Sequence, residues 1–199
     1  MSTSRPAKAG YHHGELREAL VAAGLAILEE GGDPASLGLR EAARRAGVSA
    51  MAPYRHFSDK DALLAAVATV GFERLRADLE GADRGGGEGR AALIAQGVAY
   101  VAFAASNSGL FRLMFKSCAV APPEALPKAS SEAFGVLAAR VATLVPAEQA
   151  RDESLRCWSL VHGMAVLALD GVLGAELSGN AEAVLALAER LLHLDARGR

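Results

Sequence analysis

The chain has 199 residues, 51% of them hydrophobic and 22% charged, with a formal net charge of −2. This length suits one ordinary domain or two small ones around a buried core. The composition excludes a disordered chain, and the net charge excludes a polycation.

Abundant Ala and Leu, few β-branched runs and only 5% aromatics favour an all-α protein. Charge is unevenly placed: residues 1–60 balance at +1 and residues 61–199 at −3. Cys118 and Cys157 have no CxxC or Cys/His ligand spacing beside them. They therefore read as reduced core thiols, with no disulfide framework and no metal site. No apolar run reaches the length of a membrane span, and "MSTSRPAKAGYHHGE" lacks the apolar stretch of a signal peptide. A cytoplasmic location with no membrane partner is the expectation.

Residues 1–12 are polar and read as a flexible arm. A first helix is predicted over 13–30, with Leu16, Leu20, Ala23 and Ile27 on one stripe and Gly31 and Gly32 as its stop. After the turn "DPAS" comes a short helix, "LREAARRAG". Its Leu39, Ala42, Ala43 and Ala46 face inward, and Arg40, Arg44 and Arg45 face outward. Gly47 ends it, and Ser49 is placed to cap a second short helix reaching Phe57. Ser58 and Asp61 have the spacing of a capping box for a connecting helix over 58–80. The glycine-rich "GADRGGGEG", 81–89, reads as the clearest break in the chain.

Further helices are predicted near 90–107, 109–116, 123–144, 147–174 and 180–195. Pro122 and Pro123 open the third of these. In the fourth, Leu155, Trp158, His162, Ala165, Leu169 and Leu173 share a face. In the fifth, Val184, Leu187 and Leu191 do so. Helices apolar over more than one stripe are buried on more than one side. The last two helices are therefore expected to form a homodimer interface. The domain reading is an arm (1–12), a DNA-binding unit (13–57), a connecting helix (58–80) and a helical effector-binding and dimerisation domain (90–195).

Residues 39–57 read as helix, tight glycine turn, helix. Ala43 is small where two helices approach closely, Gly47 supplies the turn, and Val48 plugs the angle. This is the layout of a helix-turn-helix, whose second helix enters a major groove. The segment "ASLGLREAARRAGVSAMAPYRHFSDKDALLAAV" resembles the DNA-binding domain of the TetR family of one-component bacterial regulators. The likeness covers about residues 13–70. It lies in the helix-one stripe, "LREAARRAGVS", "YRHF" and the following "KDALL". More loosely, "YHHGELREAL", "LFRLMF" and "WSLVHG" resemble a subgroup with a Trp…His-Gly ligand domain.

The resemblance implies site residues. Tyr54 and His56 match positions that hydrogen-bond DNA phosphates. Lys60, in the first turn of the next helix, suits a phosphate. Arg40 matches a position that reaches phosphate or a base edge. Ser49, Ala50, Met51 and Ala52 open the recognition helix. Arg55 is the candidate for a bidentate guanine contact or a phosphate clamp. Phe57 belongs to the core.

Two departures stand out. Gly38 replaces the usual Ser or Thr cap. Ala50, Met51 and Ala52 offer few hydrogen bonds, which points to thymine methyl contacts and DNA shape.

Tyr100, Phe103, Phe111, Met114, Phe115, Phe134, Trp158 and His162 are the candidates for a ligand pocket. Phe103, Phe111, Met114 and Phe115 read first as core, and His162 reads either as a satisfied core histidine or as a ligand contact. The expected function is a homodimeric transcriptional regulator, a repressor by resemblance. Its expected partners are a near-palindromic double-stranded operator and a small apolar effector, with no cofactor. The alternatives are a ligand-independent DNA-binding structural protein and an all-helical enzyme. For an enzyme the chain offers no G-x-S-x-G, P-loop, metal spacing or dinucleotide fingerprint.

Overall fold

A computed structural model describes residues 13–30, 34–117, 124–177 and 179–197. The arm 1–12, the stop at Gly31 and Gly32, Cys118 and the Pro122–Pro123 opening lie outside the described residues. Among those residues there are eight α-helices, one 3-10 turn and no strand.

α1 (His13–Glu29) buries Leu20, Ala23 and Ile27 and half-buries Leu16, along the predicted stripe. Gly24 sits where α1 crosses the fourth helical element. A Cβ there would lie 2.7 Å from Val67 Cγ2, so only glycine admits this close approach.

α2 (Leu39–Arg45) buries Leu39, Ala42 and Ala43. It ends in a Schellman motif: Gly47 N–H donates to Arg44 O, and Val48 N–H donates to Ala43 O at 3.0 Å. Gly47 supplies the left-handed residue, with φ +68°.

The second short helix differs from expectation. Ser49 makes no side-chain cap, and regular structure is confined to one 3-10 turn, Ala52–Arg55. Pro53 gives the physical reason. It has no N–H to donate to Ser49 O, so the first α-type bond cannot form. Ala52 N–H takes Ser49 O instead, at 3.0 Å. Further on, Pro53 O accepts from both His56 and Phe57, each at 2.9 Å.

The cap of α3 (Lys60–Gly85) also moves by one residue. Asp59, not Ser58, is the N-cap, and its carboxylate accepts from Ala62 N–H at 2.8 Å. Ser58 Oγ donates to that same carboxylate. A charged carboxylate is the better acceptor for helix N–H groups.

α3 then runs past the predicted break. Gly81, Asp83 and Gly85 are helical, and the break shrinks to Gly86–Gly89. The chain reverses there, with Gly87 and Gly89 at positive φ.

α4 (Arg90–Ser106) and α5 (Ser108–Ser117) meet at a bend of 103°. α6 (Ala125–Ala142), α7 (Ala147–Leu169) and α8 (Ala181–Arg197) complete the chain. α3 is the centre of the arrangement and packs against α1, α4, α5 and α6. Its Gly71 takes the close pass of α5: a Cβ would stand 2.7 Å from Met114 Sδ.

α7 ends five residues before its predicted limit, so Leu173 lies beyond the helix. Gly171 (φ +69°) forms a second Schellman end, with Val172 N–H donating to Leu167 O. α8 packs chiefly on α4, burying Val184 and Ala188. Leu167 and Val172 remain exposed.

Gly47 and Gly38 give opposite expectations. No atom crowds a Cβ at either position, but Gly38 is extended (φ −154°) while Gly47 is left-handed. In urea denaturation, Gly47→Ala should cost about 1 kcal/mol. Gly38→Ser, which supplies the missing N-cap oxygen, should add a few tenths of a kcal/mol.

Candidate functional site

Two surfaces carry chemistry. The first is the face built by α2 and the 3-10 turn. Glu41 receives Arg44 through two bonds, at 2.8 and 2.6 Å, and Arg45 Nε at 3.0 Å. Arg45 also reaches Glu30 at 2.6 Å. These bonds hold the Glu41 carboxyl down to about 2. Arg44 and Arg45 are thereby tied to carboxylates of their own chain. Arg40 and Arg55 are exposed, and neither has an ion-pair partner among the described residues.

Met51 is 71% exposed and Tyr54 46%. Ser49 and Ala50 are also exposed, while Ala52 and His56 are half-buried. Lys60 lies at the first turn of α3, where its Nζ donates to Ala35 O at 2.9 Å and ties down the turn before α2.

The turn is held from behind. Pro53 and Phe57 are buried. Arg17 of α1 places its guanidinium carbon 5.5 Å from the centroid of the Phe57 ring, within cation–π range. Sequence reasoning missed Arg17. Its place one turn before the buried Leu20 and Val21, on the margin of the α1 stripe, is the only sequence signal it leaves.

The second surface is a cavity of about 540 Å³ among α3, α4, α6 and α7. This volume falls in the range of small-molecule sites. Phe72, Leu75 and Leu79 of α3 form one wall. Of the pocket candidates, Tyr100, Phe115, Phe134 and Trp158 line it. Phe111 and His162 instead line a smaller cavity of about 370 Å³, which Phe115 shares and which reaches Pro34 before α2. Phe103 and Met114 line neither cavity and are buried core.

His162 is satisfied from within. Its Nδ1 is 2.8 Å from Tyr100 Oη, and Trp158 Nε1–H donates to the same Oη at 3.3 Å. The Tyr100 hydroxyl and Nδ1 share one hydrogen bond, whose direction is set by the tautomer of the His162 ring. Burial pushes the His162 imidazole below its ordinary range and the Tyr100 phenol above its own. Both shifts keep the pair neutral at pH 7.

Sequence reasoning also missed a polar clasp at the cavity wall. Arg140 of α6 binds Asp83 of α3 through two bonds, at 2.7 and 2.8 Å. Gln96 of α4 donates to the same carboxylate at 2.6 Å. A lone glutamine in the apolar run "LIAQGVAY", four residues before Tyr100, was the available signal.

Residues 20–67 match the bacterial regulatory proteins of the tetR family. Residues 93–193 match the tetracyclin repressor-like C-terminal domain. The chain belongs to the TetR family. As a TetR-family protein it is a DNA-binding transcriptional regulator, with an N-terminal helix-turn-helix and a C-terminal ligand-binding domain.

A solved structure of a protein of unknown function from Rhodococcus sp. RHA1 is 33% identical, with a TM-score of 0.76. The match covers 94% of this chain and 98% of that one. Two more distant structures share the fold. A tetR-family regulatory protein from Rhodococcus RHA1 is 17% identical over 89% of this chain and 97% of its own, with a TM-score of 0.61. A TetR variant from Acinetobacter baumannii AYE, in complex with minocycline, is 22% identical over 94% and 97%, with a TM-score of 0.59. No curated protein matches the chain. Among the described residues, no single helix is long and apolar enough to cross a membrane.

The Tyr100–His162 pair gives a pH dependence. The unfolded chain takes a proton on His162 more readily than the folded chain does, so this contribution is complete above about pH 6.5 and is lost as pH falls below it. Between about pH 7.5 and about pH 5.5, wild type should lose more stability to urea than His162→Gln does. Equal losses would remove His162 as the source.

Proposed function

We propose that the protein is a homodimeric repressor of a near-palindromic operator, released by a small, mainly apolar effector bound in the larger cavity. One observation carries this reading. α3 begins at Lys60, shortly after the exposed 3-10 turn Ala52–Arg55, and the same helix lines the cavity with Phe72, Leu75 and Leu79. A molecule that fills the cavity pushes on the helix that leads out of the DNA-reading turn. It changes DNA affinity only through unequal affinity for the two arrangements. The minocycline complex of a distant family member supports a small-molecule ligand for this protein.

On the DNA side, Tyr54, His56 and Lys60 meet phosphates, joined by Arg40 on the outer face of α2. Arg55 reads a guanine, and Ser49, Ala50, Met51 and Ala52 lie against the groove floor, where apolar contact with thymine methyls replaces hydrogen bonding. The unpaired state of Arg40 and Arg55 favours them over Arg44 and Arg45, whose charges Glu41 and Glu30 already engage. The dimer forms through α7 and α8, consistent with exposed Leu167 and Val172 near the end of α7. The domain division is a DNA-binding unit over 13–57, a connecting helix that extends to Gly85, and an effector and dimer domain from residue 90.

Fluorescence anisotropy on the upstream intergenic DNA tests this. Tyr54→Phe and Arg40→Ala should weaken binding to all sequences, with Arg40→Ala lowering the salt slope by about one. Arg55→Ala should cost about 1–3 kcal/mol and relax preference at one base pair. Unchanged affinity in all three would overturn this docking. Binding that resists salt and does not saturate would overturn the regulator reading itself.

A further inference from the structure

The larger cavity is mainly apolar, and one fully buried polar atom of a lining residue has no partner. Gln96 is only 2% exposed, and its Oε1 is the one buried side-chain polar atom without a hydrogen-bond partner among the described residues. The amide cannot simply be turned over. Asp83 Oδ1, 2.6 Å away, needs a donor, so the NH2 group points to Asp83 and the oxygen points away from it. Gln96 itself lines the cavity. A buried acceptor left without a donor is costly, and a ligand that supplies one recovers that cost.

Most other polar groups at or behind the wall have their partners. Tyr100 Oη is engaged by Trp158 and His162. Asp83 is paired with Arg140 by two bonds, and Glu153 with Arg156 by two more, at 3.0 and 2.8 Å. Each pair cancels its own charge. Arg90 and Ser131 touch the cavity from exposed positions and Ser130 from a half-buried one, where water serves them. The interior therefore offers no uncompensated charge and, among fully buried side-chain atoms, one unused acceptor.

We propose that this cavity binds a neutral, mainly apolar molecule that donates one hydrogen bond, through a hydroxyl or N–H group, to Gln96 Oε1. The inference rests on the cavity being the effector site. It adds what that site selects: donors over otherwise similar ethers and hydrocarbons. A bound donor also engages the Gln96–Asp83–Arg140 clasp, which joins α4 and α6 to α3.

Three probes of matched shape test the proposal: para-octylphenol, para-octylanisole and octylbenzene. Trp158 is the single tryptophan and lines the cavity, so its fluorescence reports occupancy. The phenol should bind wild type about tenfold or more tighter than the anisole or the hydrocarbon. Gln96→Leu, which keeps bulk and removes the acceptor, should bring the three affinities together. If Gln96→Leu does not fold by circular dichroism, the wild-type ratios and those of Gln96→Met carry the comparison. Equal wild-type affinities for all three probes would overturn donor selection while leaving the cavity as a ligand site. No fluorescence response to any of them would overturn both, with DNA binding judged separately by the anisotropy measurement.

Discussion

Both halves of this molecule hang on one helix. α3 spans 26 residues, roughly 39 Å at 1.5 Å per residue. Its first turn is capped by Asp59, shortly after the exposed 3-10 turn, and its last turns hold Asp83 against Gln96, which lines the cavity. Four other helices pack on it. Two glycines make this possible. Gly24 of α1 lets Val67 approach, and Gly71 of α3 itself lets Met114 in. A side chain at either point would push a neighbouring helix outward, because cores are packed too tightly to absorb a methyl group without movement.

The charge pattern of the proposed DNA-facing surface follows from a competition between side chains. α2 carries three arginines, but Glu41 and Glu30 engage two of them. Exposed ion pairs of this kind add little to stability. Their effect here is on availability: they hold Arg44 and Arg45 along the protein and leave Arg40 free. Behind the surface, Phe57 and the Arg17 guanidinium form the seat on which the turn rests. The exposed turn is short because Pro53 forbids a regular α-helical start.

Much of this was legible in the chain. The α1 stripe, the inward Ala42 and Ala43, the Gly47 stop and the burial of Phe57 follow from periodicity and from glycine's tolerance of positive φ. The boundaries were less legible. Ser58 lost the cap to its charged neighbour Asp59. Gly171 ended α7 where periodicity alone carried on to Leu173. The stretch 81–85 stayed helical although it is glycine-rich, because Leu79 is buried just before it and Asp83 is fastened to α4 and α6. Tertiary contacts can outweigh the unfavourable helix propensity of glycine.

The cavity was the least legible part. An aromatic residue on an amphipathic helix reads the same whether it fills a core or lines a void. Phe103 and Met114 proved to be core, while Phe134 and Trp158 line the cavity, and nothing in their spacing separates the two outcomes. The sequence by itself determined the helical class, the order of the helices and the residue types offered to DNA, since these depend on local periodicity and backbone preference. Only the tertiary structure decided which arginines are free, which aromatics enclose space and that Gln96 keeps an unused oxygen. Those properties depend on residues from distant helices meeting, and neither periodicity nor propensity encodes that distance.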